Sequence, residues 1–395
     1  MSELKALGST LHVLMLNNEF PPLGGGTGSV TSSVLAGLVA YENIEIDLIT
    51  SGQYSSLSIE QLSDNINLYR VPIRITNVHH ARNRDLIEYA IKAFLLSCKL
   101  MRKRRYHVCL AWCSVPAGVL ALALRWIFKV PYIVRVSGPD LPGFEDRYQR
   151  TVRLLMPLLK LVWKSARLVV AKCEPEGAVV QRCQPNSKVQ IIPNGVDLSS
   201  FHPAASGRVA DSPLRILCVG RLIERKGQEA LIRACHTLKE RGKLVRLTLA
   251  GDGDRRPHYE HLVYELSLEQ EVEFLGYVSR ADIGKCYRAA DVFVLPSSNE
   301  SMSVATLEAL ASGLPVISSA EWTSGQLVKH GENGFVVEFG SVPQLVDALQ
   351  DIAEHPEQVE QFAAVSRQIA QEFSWDVVVA RYARLFTEIG SESHT

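Results

Sequence analysis

Two glutamates eight positions apart, in the run Glu300-Ser-Met-Ser-Val-Ala-Thr-Leu-Glu308, are the residues of this 395-residue chain whose spacing is best suited to chemistry. The run follows a strand-like apolar segment, 291–296, and leads into a helix-forming one, 307–311. One carboxylate therefore precedes a helix N-terminus and the other falls within its first turns. Backbone N–H groups and the helix dipole at such a terminus hold an anion, and the carboxylates accept hydrogen bonds from hydroxyls. A phosphate joined to polyhydroxylated groups, as in a nucleotide sugar, suits that combination. The plainer alternative is a charge favoured by the dipole alone, worth a few tenths to about 1 kcal/mol. The apolar neighbours of Glu308 speak against it.

A second constellation is Gly220-Arg-Leu-Ile-Glu-Arg-Lys-Gly227, which follows another strand-like run, 214–219. Arg221 and Lys226 on one loop at a strand's carboxyl end can bind a diphosphate and neutralise charge growing on it as it leaves. Taken alone, the loop could equally be an exposed basic turn. A third is Phe20-Pro-Pro-Leu-Gly-Gly-Gly-Thr-Gly28, whose glycines, Gly25 and Gly26 among them, let backbone approach a ligand. It is not a dinucleotide fingerprint, because Ser29 stands at the third glycine position, nor a Walker loop, because no Gly-Lys-Ser/Thr follows. Asp252-Gly-Asp254 lies in a glycine-rich turn and is not read as a metal site. His258 and His261 lack companion ligands, and the eight cysteines form no CxxC pair. Buried thiols in a reducing cytosol are expected.

The elements that must carry these residues alternate. Strand-like runs at 11–16, 44–50, 67–72, 107–112, 132–136, 168–171 and 189–192 are separated by helical patterns, the first at about 30–40. A second series follows at 214–219, 245–250, 271–274, 292–295 and 315–318. Such alternation implies parallel sheets with helices on both faces. Turn formers cluster at Pro193-Asn-Gly-Val-Asp197 and in 203–213, so the chain reads as two doubly wound domains. A ligand is expected at the carboxyl ends of the strands, in the cleft between the domains.

The stretch from Asp291 to Ser318 resembles the signature of retaining glycosyltransferases of family 4, which include sucrose synthases and many bacterial mannosyl- and glucosyltransferases. The likeness covers most of the chain. It implies the GT-B fold: α/β, two doubly wound Rossmann-like parallel-sheet domains facing a central cleft. Residues 1–200 would bind the acceptor and residues 205–372 the nucleotide-sugar donor, with a helix over 373–391 packing back on the first domain. By this resemblance Arg221, Lys226 and the Gly220 loop meet the donor diphosphate, Glu308 the ribose hydroxyls, and Glu300 the sugar or the reacting face. Tyr277 and Val278 would border the base, and the segment Ser303, Val304, Ala305 and Thr306 the phosphate. Gly25 and Gly26 would close over donor phosphates or the acceptor side. Relatives often carry glycine where Ser301 and Ser303 stand, and histidine at the place of Ser137. The second departure leaves Asp140 and Arg135 as acceptor-side candidates, with a turn capped by Asp140 as the alternative. Asn194 would face the cleft. With two cations for the diphosphate, no metal or other cofactor is expected.

Overall charge is zero, which favours no nucleic-acid partner, yet the halves differ. Residues 1–200 carry 23 Lys and Arg against 15 Asp and Glu, a net of +8; the remainder carries 19 against 27, a net of −8. The excess centres on 70–172 and includes Arg102-Lys-Arg-Arg105. It suits an anionic membrane face or a phosphate-bearing acceptor, or simply a solvated helix end. The apolar run 154–164 suits an interface or a buried helix equally. Residues 108–124 carry no charge but are interrupted by Pro116 and Gly118 and fall short of the ~20 residues of a span. No leader pattern is visible at the start.

The expectation is a cytoplasmic enzyme, working near the membrane face, that moves a hexose from a UDP- or GDP-sugar to a hydroxyl of a glycan or lipid-linked acceptor, with retention. The alternatives are a nucleotide-sugar epimerase, a glycan phosphorylase or a non-catalytic nucleotide-sugar binding protein.

Overall fold

The computed structural model describes residues 10–23, 25–74, 82–144, 149–204, 212–319 and 326–392. The chain divides into two units, Met1–Asn194 with Trp375–Thr395, and Gly195–Ser374.

The first unit is built on β1 (Leu11–Leu16), β2 (Ile44–Gly52), β3 (Ser58–Ser63), β4 (Ile66–Pro72), β5 (Val108–Ala111), β6 (Tyr132–Arg135), β7 (Leu168–Ala171) and β8 (Val189–Ile191). Their order is β3-β4-β2-β1-β5-β6-β7-β8, parallel throughout except for β3. Its helices are α1 (Gly26–Leu38), α2 (Asn83–Lys103), α3 (Val119–Phe128), α4 (Gln149–Ser165) and α5 (Glu174–Cys183). All four residues of β5 and all four of β6 are buried, as expected of strands covered on both faces.

The second unit holds β9 (Leu214–Val219), β10 (Val245–Ala250), β11 (Val272–Gly276), β12 (Val292–Leu295), β13 (Val316–Ser319) and β14 (Gly334–Val337). They form one parallel sheet in the order β11-β10-β9-β12-β13-β14. Around it lie α6 (Gln228–Glu240), α7 (Arg256–Glu265), α8 (Ile283–Ala289), α9 (Val304–Ala311), α10 (Val342–Glu354) and α11 (Pro356–Glu372). In this sheet the chain winds one way from β9 through β10 to β11 and the other way from β12 to β14. The reversal opens a crevice at the carboxyl ends of β9 and β12, where ligands bind in sheets of this kind. The first sheet reverses in the same manner between β1 and β5.

The last helix, α12 (Trp375–Glu392), belongs to the first unit, where it packs on α1 and β1. Gly37 of α1 makes room for Val379: a Cβ there would lie 2.5 Å from a Val379 methyl.

Several elements differ from the sequence reading. Helix α1 begins at Gly26 rather than near Val30, so Gly25 is its N-cap and Gly26 its first residue. Strand β3 is an antiparallel edge of largely exposed residues, Ser-Ile-Glu-Gln-Leu-Ser, with no apolar alternation to announce it. Strand β14, Gly334-Phe-Val-Val337, lies beyond the expected series; it is an edge strand that opens on glycine and is half-buried at its two central residues. The stretch 108–124 is β5, a turn and the start of α3, and among the described residues no helix is long and apolar enough to cross a membrane. Most of the linker 203–213 lies outside the described residues, as does Gly24.

Candidate functional site

The loops after β9 and β12 leave adjacent strands and are bonded to each other. The Ser298 amide donates to the Arg225 carbonyl at 2.8 Å. Gly227, at φ +71°, sits so close to Pro296 that a Cβ would fall 2.2 Å from its carbonyl oxygen. Only glycine combines that left-handed backbone with that approach. The contact draws the 3-10 turn Glu224–Lys226 over the end of β12.

Across this join the Lys226 ammonium donates to Glu300 Oε2, and Arg225 Nη1 lies 3.8 Å from the same oxygen. The Lys226 side chain is 11 % exposed and that of Glu300 22 %. The pair is thus largely desolvated, and a dry setting strengthens charge interactions. Arg221 opens the same loop as Lys226. Its carbonyl accepts from Gln228 Nε2 at 3.0 Å, and the residue itself is exposed. Gly220 lies against the Lys226 stem, 3.8 Å from a Cβ position to Cε.

Three residues beyond Glu300, Ser303 caps α9, accepting from the Thr306 amide at 3.2 Å. The Leu307 amide goes to the Ser303 carbonyl. The helix therefore begins at Val304 rather than at Leu307, because a serine N-cap supplies the acceptor that ends the preceding loop. This corrects one expectation: the Thr306 amide is used by the cap, leaving Val304 and Ala305 to present amides to an anion at this terminus.

Glu308 is buried within α9. The Tyr287 hydroxyl donates to its Oε2 at 2.9 Å and lies 3.1 Å from the Ala305 carbonyl. Burial pushes the Glu308 carboxyl up to about 7, against the opposing pull of the Tyr287 hydrogen bond and the Arg280 charge. A carboxyl held near neutrality accepts hydroxyl protons once ionised and gives up its own readily. Sequence alone singles out neither Tyr287 nor Arg225. Tyr287 stands in no motif, and its partnership with Glu308 exists only through the packing of α8 on α9.

Gly251 and Gly276 link β10 and β11 at their carboxyl ends, the Gly251 amide donating to the Gly276 carbonyl at 2.8 Å. Tyr277 follows, 79 % exposed, with Val278 half-buried beside the core. Asp252 Oδ1 accepts from its neighbour's Gly253 amide at 2.8 Å, as in a turn. Among the described residues no group of three or more His, Cys, Asp or Glu is placed to hold a metal ion.

The other sequence candidates belong to the first unit. Asp140 is buried, and its Oδ2 accepts from the Ser114 amide at 2.9 Å, the Ser137 amide at 3.1 Å and the Ser137 hydroxyl at 3.2 Å. Burial raises its carboxyl above the usual range, partly offset by those bonds. Asp140 thus ties the loop after β5 to the turn after β6, as the capping alternative has it. Ser137, at the position where relatives hold histidine, is committed to Asp140. Arg135 is buried as well, its guanidinium donating to Asn194 Oδ1 at 2.7 Å and Tyr382 Oη at 3.0 Å, 5.2 Å from the Trp112 ring centroid. Asn194 is therefore turned into the first unit by Arg135. Around Gly25 and Gly26 a Cβ would meet nothing within 4 Å, so internal packing does not require glycine at either. The Gly25 amide donates to Glu19 Oε2 at 3.1 Å.

Two doubly wound sheets, all but one strand parallel, the second with cations and acids gathered at its switch point, are the architecture expected of a glycosyltransferase of GT-B fold. Sequence comparison agrees: the model of Glycosyltransferase Family 4 matches residues 24–200 and that of Glycosyl transferases group 1 matches residues 204–369. The chain belongs to this family of glycosyltransferases. It is 29 % identical over 342 residues to an uncharacterized glycosyltransferase of Methanocaldococcus jannaschii, covering 83 % of this chain and 85 % of that one. It is 27 % identical over 336 residues to a UDP-Gal:alpha-D-GlcNAc-diphosphoundecaprenol alpha-1,3-galactosyltransferase of Escherichia coli, covering 79 % and 81 %. Among solved structures, a sucrose-phosphate synthase of Thermosynechococcus elongatus superposes with a TM-score of 0.84 at 22 % identity, over 97 % of this chain and 100 % of that one, a likeness of fold.

Proposed function

We propose that this glycosyltransferase moves a hexose from a nucleoside diphosphate sugar, a UDP- or GDP-sugar, to a hydroxyl of a lipid-linked glycan acceptor. It would do so with retention, in the building of a surface polysaccharide or glycolipid at the cytoplasmic membrane face. The observation that carries the reading is the Lys226–Glu300 pair beside the α9 N-terminus, with the buried Glu308 one turn further on. The galactosyltransferase relative, whose name specifies a UDP-sugar donor and a polyprenyl diphosphate acceptor, supports the choice of both substrates.

In this reading Lys226 and Arg221 face the diphosphate and the Val304 and Ala305 amides complete its cradle. Glu308 takes the ribose hydroxyls, and Gly220, Tyr277 and Val278 border the nucleotide. Glu300 sets the Lys226 ammonium and accepts a sugar hydroxyl. The bond from the anomeric carbon to phosphate oxygen breaks as the acceptor oxygen attacks from the same face. The departing diphosphate takes the acceptor proton, so nucleoside diphosphate and glycoside are the products. The cations stabilise charge that develops only in that transition state, so no metal is required. Gly25 and Gly26 serve the donor phosphates or the acceptor from the first unit. Asp140, by its bonding, serves structure.

The test is calorimetry with UDP-, GDP- and ADP-sugars. Incubation of the best binder with and without a polyprenyl diphosphate sugar follows, with the product anomer read by NMR. Transfer with retention is expected. An altered nucleotide sugar formed without acceptor points to an epimerase, and binding without transfer to a sensor; either result removes the proposal.

A further inference from the structure

Helix α2 half-buries Leu86, Phe94, Leu96 and Leu100 yet also carries large aliphatics outward. The residues it buries are Asp85, Tyr89, Ala93 and Ser97, while Ile87, Ile91 and Leu95 stand 57 to 64 % exposed on the opposite side. A helix of a globular protein ordinarily turns its aliphatic stripe to the core. Here a four-residue spacing of large aliphatics faces out. At the end of α3, Trp126 and Ile127 are also exposed, 57 and 58 %. Leu95 and Ile127 line one groove of about 500 Å³ together with Phe94 and Phe128.

The same groove runs into a basic cavity. Arg102 and Lys103 line both, and the cavity, of about 710 Å³, adds Arg105, Lys129 and Arg167. Arg104 also lines it but turns to Glu45 of β2, at 2.9 Å. No Asp or Glu occurs anywhere from Tyr89 to Pro139. Cations at the C-terminal ends of α2 and α3 are favoured by the helix dipole, which accounts for charge there but not for the exposed aliphatic stripe beside it. The cavity opens where α2 and α3 end and β5 and β6 begin. It is thus at the amino edge of the first sheet, opposite the carboxyl edge that carries Gly25 and Ser137.

We infer that this face of α2 and α3 is a docking surface for a bilayer bearing anionic headgroups. Ile87, Ile91, Leu95 and Trp126 enter the interface, and the cavity takes a lipid phosphate through Arg102, Lys103 and Lys129. Apolar side chains flanked by Lys and Arg are the pattern of interfacial helices, and each cation near an anionic leaflet adds to the attraction. The inference rests on the reading of a lipid-linked acceptor and identifies which surface meets the membrane. The run 154–164, expected equally as an interface or a buried helix, is divided: in α4 Leu159, Val162 and Trp163 are buried, while Leu154 and Leu161 stand exposed.

The experiment is co-sedimentation of the full chain with vesicles of phosphatidylcholine alone or mixed with phosphatidylglycerol. Calorimetric UDP affinity is measured on the same preparations as a separate readout of the donor site. The chain is expected to bind the mixed vesicles and not phosphatidylcholine. The triple change Arg102→Gln, Lys103→Gln and Lys129→Gln is expected to weaken partition roughly 100-fold, and Ile91→Ser with Leu95→Ser roughly tenfold or more. Both variants should keep wild-type UDP affinity. Quenching of fluorescence by brominated lipid should fall in Trp126→Phe. No partition to mixed vesicles, partition unchanged in either variant, or competition by an acidic soluble protein but not by lipid would overturn the inference. Loss of UDP binding in the unmodified chain would instead strike the donor-site reading.

Discussion

The carboxyl edges of the two sheets share one topology and use their charged residues in opposite ways. In the second unit, Lys226, Glu300 and Glu308 gather on neighbouring loops and one helix, with Lys226 and Glu300 paired across the loops. In the first, Asp140, Arg135 and Asn194 are buried and bonded to the turns and to α12. A switch point alone therefore does not make a charged ligand site. Acids and cations brought together on adjacent loops are the further requirement, and among the described candidates it is those of the second sheet that meet in this way.

The comparison breaks most readily at the cations. Lys226→Ala or Arg221→Ala should lower turnover, read as donor-dependent release of nucleoside diphosphate, by about 10²–10³. Unchanged turnover would remove the distinction between the two edges. On the other side, Asp140→Ala strands the Ser114 and Ser137 amides in the interior and should cost about 1–3 kcal/mol of stability. Its effect belongs in the thermal midpoint, with UDP affinity preserved. A variant of full stability that has lost activity would restore Asp140 to the chemistry.

Glu308→Gln sharpens the contrast through pH. The free carboxyl titrates near 4.5 and the folded one near 7, so the folded chain holds this proton more tightly. The stability it contributes is complete below about 4.5 and lost as pH rises through 7. The glutamine variant should match the parent near pH 5 and be the more stable at pH 8, by about 1–3 kcal/mol. It should nonetheless bind UDP about tenfold more weakly, because an amide replaces a carboxylate at the ribose. In the parent, UDP binding near pH 6 should release protons, as seen by calorimetry in buffers of different ionisation heat. The smallest effect is expected of Tyr277→Ala: a three- to tenfold loss of UDP affinity, the scale of one ring contact, with no change in melting.

Much of the fold and of the second unit's charged cluster is legible in the order of residues alone. The parallel strands show as apolar runs because they are buried on both faces, and Glu300, Glu308, Arg221 and Lys226 show through spacing at strand ends. What stays hidden depends on neighbours distant in sequence. The sequence offers Asp140 and Asn194 as polar groups at strand and domain ends. It does not show that Ser114 and Arg135 claim them, across 26 and 59 positions. Tyr287 is hidden for the same reason. Helix α2 misleads differently: its aliphatic period is clear, but which side faces the sheet is settled by the small residues Ala93 and Ser97, which permit close packing.

The most direct test of the central claim is a crystal structure of the chain with UDP. The diphosphate is expected within hydrogen-bond reach of Lys226 and the Val304 and Ala305 amides, with the ribose on Glu308. A nucleotide bound on the first sheet, or on the second but away from Lys226 and α9, would contradict it.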